Sequence, residues 1–228
     1  MMINISNLII EVTRKCNIEC THCLRGNAQK KDIMLAYIDE LLCQTKYIDN
    51  ITFSGGEPSL NVKAIDYFLT TAKSYAVSIG RFYIATNGIT INENFVIACL
   101  RLYVYSEDKE SNMVVVSNDE FHASEENYNT ELLDGLSFFS RKHIKEGYNY
   151  AGGSTLIREG RAAENFNCRT IFPVSDIKTI DDFNDASIYL NAKGEIINGC
   201  DWSYVNQSKH ILCKVGQLTE FYESLIES

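Results

Sequence analysis

The sequence holds no apolar run approaching the roughly 20 residues that a membrane-spanning helix needs, so no such helix is expected. It has no surplus of basic residues either: 21 Lys and Arg stand against 30 Asp and Glu, a formal net charge of −9. Nonspecific binding to nucleic acid through a broad cationic face is therefore not expected, although a nucleotide substrate stays open. No internal repeat divides the 228 residues, enough for one sizeable domain with a small appendage. The opening MMINISNLIIEVTRKC lacks a basic start followed by a long apolar stretch and does not read as a signal peptide. The expected location is the cytoplasm, where reductants keep thiols reduced and a disulfide framework is not expected.

What the sequence does contain is eight cysteines, unevenly placed. Cys16, Cys20 and Cys23 crowd into eight positions, while Cys43, Cys99, Cys168, Cys200 and Cys213 lie far apart. A close group asks for a metal; scattered cysteines usually mean packing, and Cys43 and Cys99 fall on apolar helical faces that read as core.

Residues 7–13 (NLIIEVT), 50–55 (NITFSG), 81–86 (RFYIAT) and 113–118 (MVVVSN) are short and almost continuously apolar, as parallel strands buried on both faces are. Between them, 33–46, 62–78, 91–105 and 125–143 read as helices. This β-α alternation predicts an α/β protein with a parallel sheet, an incomplete (β/α) barrel, or partial TIM barrel. Each strand is followed by a polar or glycine-rich cluster, TRKCNIEC, SGGEPS, ATNG and SNDEFH, and functional groups of parallel α/β folds gather at such carboxyl ends. After about Gly147 the pattern weakens. TLIREGRAAEN (155–165) reads as a strand end and loop, CRTIFPV (168–174) as a short strand, and 187–199 as a β-hairpin turning at Ala192-Lys193-Gly194. A turn and short helix follow Lys214. The expected division is a core over 1–165 and a C-terminal extension of strands, hairpin and helix over 166–228.

The segment from Cys16 to Cys23 spells CxxxCxxC directly after a predicted strand. Thiolates are soft ligands for zinc or for iron–sulfur clusters, and three of them can hold three corners of a cubane, leaving its fourth iron open. A zinc knuckle built from these cysteines with His22 or a remote cysteine is the competing account. Ser54-Gly55-Gly56-Glu57-Pro58 closes the second strand, where paired glycines permit close backbone approach and Glu57 supplies an acceptor; a plain strand-to-helix turn is the alternative. Thr86-Asn87-Gly88 follows the third strand, and Ser117, Asn118 and Asp119 the fourth.

In this order, over the first 120 residues or so, these motifs resemble the radical S-adenosylmethionine (SAM) superfamily. The resemblance implies that Cys16, Cys20 and Cys23 hold a [4Fe–4S] cluster whose open iron is chelated by the amino and carboxylate groups of SAM. One electron, from a donor such as flavodoxin or ferredoxin, then splits the sulfonium and releases a 5′-deoxyadenosyl radical, which abstracts hydrogen from an organic substrate. Gly55, Gly56, Glu57, Thr86, Asn87, Ser117 and Asp119 fall where the superfamily contacts SAM, and the LIREGRA segment places Arg158 or Arg161 to pair with its carboxylate. Asp119 and His122 are the candidate acid–base groups, with Glu120 read as solvated. His22 is expected to pack beside the cluster; His143 and His210 have no constellation around them.

The stretch SIYLNAKGEIINGCDWSYV, followed by CKVGQL, resembles the start of the extensions that hold auxiliary clusters in peptide-modifying members. It departs from them in lacking the dense group of later cysteines and in stopping soon after. Cys168, Cys200 and Cys213 are therefore expected to hold no second cluster. On this resemblance the substrate is a peptide or protein side chain. A nucleotide or small metabolite is the alternative within the superfamily, and a noncatalytic zinc-binding interaction module the alternative outside it.

Overall fold

The apolar run that opens the sequence forms the central strand of a sheet, β1 (Ile3–Thr13). The computed structural model describes residues 1–118, 129–143, 156–168 and 174–227. To one side of β1 lie β2 (Thr45–Gly55), β3 (Ser78–Thr86), β4 (Met113–Asn118) and β5 (Phe139–His143), each parallel to the last. To the other side lies β6 (Ser187–Leu190), also parallel to β1. The antiparallel strands β7 (Glu195–Asn198) and β8 (Ile211–Lys214) come after it. The outer strands β5 and β8 are not neighbours among the described residues, so the result is the expected incomplete barrel.

Helices α1 (Leu35–Leu42), α2 (Val62–Ser74) and α3 (Glu93–Tyr105) link the first four strands and pack side by side. The spacing of Ala64, Ile65, Phe68, Leu69 and Ala72 turns all five of these α2 side chains to the core. Phe68 meets Phe53 of β2 edge to face with ring centroids 5.2 Å apart. Such a pair contributes about 0.5–1.5 kcal/mol beyond its buried area. At the start of α3 the Asn92 side chain accepts from the Phe95 N–H at 3.1 Å, and Glu93 complements the positive end of the helix. The opposite face of the sheet is covered from the C-terminal side, where Ile9, Tyr189 and Ile197 pack with Cys200 and Trp202. Cover on both faces explains why burial in β1 is unbroken from Leu8 to Thr13.

The hairpin of β6 and β7 turns at Gly194, whose φ of +75° suits glycine. In that turn the Asn191 side-chain oxygen accepts from the N–H groups of Lys193 and Glu195. Three shorter helices follow among the described residues: α4 (Gly160–Asn165), α5 (Ile180–Asp185) and α6 (Leu218–Ser224). No helix among the described residues is long and apolar enough to cross a membrane.

Several elements differ from the sequence expectation. The helix expected over 125–143 is, in its described part, a 3-10 turn (Glu131–Leu133) followed by β5. Gly135, at φ +85°, breaks the apolar spacing that imitates a helix there. The segment read as strand end and loop contains α4, and β8 precedes the final helix. Cys43 is exposed rather than core, because α1 ends at Leu42 and Cys43 caps it. Cys99 is buried as expected. Residues 169–173, most of the strand expected over 168–174, lie outside the described residues.

Candidate functional site

The first three strands end at Thr13, Gly55 and Thr86, and the site is built on the loop and turns just beyond those ends. Residues 14–31 leave β1 as a loop closed at its neck by an antiparallel bridge between Thr13 and Asp32. The Arg14 N–H donates to the Lys31 carbonyl at 2.7 Å and the Ile33 N–H to that of Val12 at 3.1 Å. Asp32 accepts from the Thr13 hydroxyl at 2.6 Å and the Lys15 ammonium at 2.5 Å. With both ends fixed, the loop brings Cys16, Cys20 and Cys23 into the wall of one cavity of about 350 Å³. Gly55, Gly56, Glu57, Thr86, Asn87 and Ser117 line the same cavity, so all but two of the proposed SAM-contact residues converge with the cysteines.

The glycine pair owes its identity to the loop. The Gly56 N–H donates to the Thr13 carbonyl at 2.7 Å and the Glu57 N–H to that of Lys15 at 2.8 Å. A Cβ on Gly55 would lie 2.0 Å from the Thr13 oxygen, and one on Gly56 2.0 Å from the Lys15 oxygen. The clash falls on the neck of the cysteine loop rather than across the cavity. Glu57, only 2% exposed, accepts from the Ser59 N–H, the Thr86 hydroxyl and the Asn87 N–H at 3.0, 2.6 and 2.7 Å. Burial pushes its carboxyl pKa up, and these donors offset part of that cost. Asn87 in turn donates to the side-chain oxygen of Asn17 at 2.8 Å, tying the third strand's turn to the cysteine loop.

His22 lines the cavity beside the cysteines. Arg158 and Arg161 do not: Leu156 and Ile157 occupy the cavity wall, and the two arginines line an adjoining pocket. Asp119, Glu120 and His122 lie outside the described residues. Cys200 lines a further pocket with Asn198 and Asp201, and Cys213 sits on β8. Among the described residues no three His, Cys, Asp or Glu side chains close on a point that would hold a single metal ion.

Behind the loop lies a polar network that the sequence pattern does not announce. The Glu11 carboxylate accepts from Arg14 and the Ala192 N–H on one oxygen, and from the Tyr189 hydroxyl and the Gln207 amide on the other. Glu11, Arg14, Tyr189 and Gln207 are each no more than 2% exposed. Arg25, from the cysteine loop, sits over the Tyr189 ring at 4.8 Å and donates to the Trp202 carbonyl at 2.6 Å. The network's only trace in the sequence is a glutamate and an arginine three apart at the end of an apolar run.

Three soft donors thus line one cavity at the carboxyl end of the first strand of a partial barrel, a donor set of the type that iron–sulfur clusters use. The family model for the Radical SAM superfamily matches residues 10–104. MJ0907, an uncharacterized protein of Methanocaldococcus jannaschii, is 31% identical over 97 residues, 41% of this chain and 34% of that protein. The match thus spans about a third of that relative's length. Two solved structures share the fold. Native anSMEcpe with bound AdoMet and Cp18Cys peptide superposes with a TM-score of 0.59 at 14% identity, covering 99% of this chain and 80% of that one. Native anSMEcpe with AdoMet and Kp18Cys peptide gives 0.60 at 14%, covering 96% and 80%. Over residues 10–104 the chain is thus similar to the radical SAM superfamily, whose members use a [4Fe–4S] cluster and SAM.

Proposed function

We propose that this chain is an enzyme that reductively cleaves SAM and abstracts a hydrogen atom from a peptide or protein side chain. The observation that carries the proposal is the convergence of Cys16, Cys20 and Cys23 with the Gly55-Gly56-Glu57 and Thr86-Asn87 turns on one cavity. The donor set fits a cubane, since three soft thiols line one cavity and a cubane so held keeps its fourth iron open. When bound, the cluster and SAM supply an electron and a 5′-deoxyadenosyl radical, the electron coming from a one-electron donor such as flavodoxin or ferredoxin.

The chain's own residues do the rest. Cys16, Cys20 and Cys23 ligate. Glu57 fixes the Thr86-Asn87 turn, and its second oxygen, which accepts from the Asn87 N–H, would also receive the ammonium of SAM. Thr86, Asn87 and Ser117 offer polar groups to the ligand from the far wall. Ile18, Leu24, Ala85, Leu156 and Ile157 make the remaining wall apolar, which keeps water from a reactive intermediate. A peptide substrate is supported by the two fold relatives, both solved with peptides bound, and by the strands beyond Ser187 that extend the sheet.

Anaerobic reconstitution with iron and sulfide, followed by an assay for 5′-deoxyadenosine, tests the reading. Replacing Cys16, Cys20 or Cys23 by Ala should each abolish cluster absorption and SAM cleavage, while Cys43→Ala, at an exposed cap, should change neither. Full iron and normal cleavage in any of the three would overturn the assignment. Iron should approach about four per chain rather than eight, as for one cubane.

A further inference from the structure

A pocket of about 520 Å³ adjoins the cysteine cavity, and Arg25 stands in the wall of both. Three segments enclose it: the cysteine loop beyond Cys23, the stretch from Arg158 into α4, and residues 203–206. They are locked together by backbone bonds. The Arg161 N–H donates to the Cys23 carbonyl at 2.9 Å and the Tyr204 N–H to that of Arg25 at 3.1 Å. Glu159 accepts from the Ser203 N–H at 2.9 Å and from the Asn206 amide at 2.8 Å. Gly160, at φ +53°, lies so close that a Cβ would sit 2.4 Å from the Leu24 oxygen. An occupant of this pocket is therefore one loop's thickness from the cysteines.

Two of its donors are unspent among the described residues. Neither Arg158 nor Arg161 has an ion pair among the described residues. Among the described residues the buried Nε of Arg161 has no acceptor, and neither does the hydroxyl of Tyr204, a side chain only 6% exposed. Burial raises the Tyr204 hydroxyl far above its ordinary pKa, so it remains a donor at neutral pH. Buried polar groups are normally hydrogen-bonded, and two orphans on residues that line one pocket call for an acceptor there. The charge selects which acceptor. Arg25, Arg158 and Arg161 face Glu159 and Glu164, three cations against two acids, leaving one net positive charge. That balance suits a singly charged carboxylate better than a doubly charged phosphate, and the edge of a guanidinium matches a carboxylate's two oxygens.

We propose that this pocket is a carboxylate subsite, in which Arg161 and Tyr204 receive an acidic side chain of the peptide whose reacting residue enters the cysteine cavity. The proposal rests on the peptide-modifying function and narrows it to acidic peptides. Calorimetric titration of the oxidised, cluster-loaded protein with acetyl-Ala-Glu-Ala-amide and with its Gln counterpart tests it without any turnover. The Glu peptide should bind about tenfold tighter or better, the usual margin for hydrogen bonds to a charged group. Arg161→Gln should abolish that preference. Tyr204→Phe should reduce it severalfold with no loss of thermal stability, because the hydroxyl has no bond to lose in the free protein. Equal affinity for the two peptides would overturn the proposal, and so would a preference that survives both substitutions. Displacement by inorganic phosphate at concentrations below those the Glu peptide needs would also overturn it, in favour of a phosphate site. Formation of 5′-deoxyadenosine without a Glu preference sinks the subsite alone; a Glu preference without 5′-deoxyadenosine sinks the activity alone.

Discussion

Gly56 shows how a single hydrogen atom can decide where a loop runs. Its missing Cβ makes room for the Lys15 carbonyl, one residue before the first cysteine. Gly56→Ala should therefore push the loop neck away and lower iron content together with SAM binding. Iron measured after reconstitution checks this: full iron with only SAM affinity lost would place the clash in the cavity instead. The sequence exposes such residues because the proposed ligands and the tight turn are written in adjacent positions, Cys16 to Cys23 and Ser54 to Pro58. It does not expose Asn17 as the partner of Asn87, since an asparagine inside a loop carries no pattern. Arg158 misleads for a related reason. Its neighbour Ile157 faces the cavity, and a one-position difference in a short irregular segment decides which pocket a side chain meets.

The cysteine loop works as an element because its two ends are stitched together before it reaches the site. Asp32 carries much of that stitching. Burial would raise its carboxyl pKa, but hydrogen bonds from Lys15 and Thr13 and the Lys15 charge outweigh it, and the net shift is downward. A depressed folded-state pKa means that the contribution to stability is present above the ordinary carboxylate value of about 4 and fades as pH falls through the lower folded value. Both partners are substantially exposed, so the contribution stays below about 1 kcal/mol. The stability difference between the protein and Asp32→Asn in denaturant should accordingly shrink between about pH 6 and pH 3. A difference independent of pH would remove the ionised carboxylate from the neck. The early elements were legible because continuous apolar runs and helical spacing are local signals. The region of β5 was not, because Leu132, Leu133 and Leu136 copy a helix until Gly135 interrupts it. Edge strand β8 shows no two-state alternation, with burial that is only partial at its middle residues.

Across the whole molecule, the C-terminal strands back the site as well as extending the sheet. Three of the four donors to Glu11 come from Tyr189, Ala192 and Gln207. Removing the carboxylate leaves Arg14 buried without its counter-charge, which typically costs about 3–5 kcal/mol, against a total stability of about 5–15 kcal/mol for a domain. Glu11→Ala should thus lower the denaturant midpoint sharply, and a neutral result would show the network to be ornamental. Truncation before Ser187 should uncover the edge of β1 and yield aggregates on size-exclusion chromatography; a folded monomer would refute that. The Glu11 network was not readable from sequence spacing, for Glu11 and Gln207 are separated by 196 positions. That separation also sets a clock. A ribosome adding about 5–20 residues per second needs on the order of ten to forty seconds to travel it. For most of that interval the three cysteines are already synthesised while Arg25 still lacks Trp202 and Tyr189 to rest on. Metal loading therefore belongs after synthesis, and nascent chains stalled near residue 180 should capture iron poorly even where iron is plentiful.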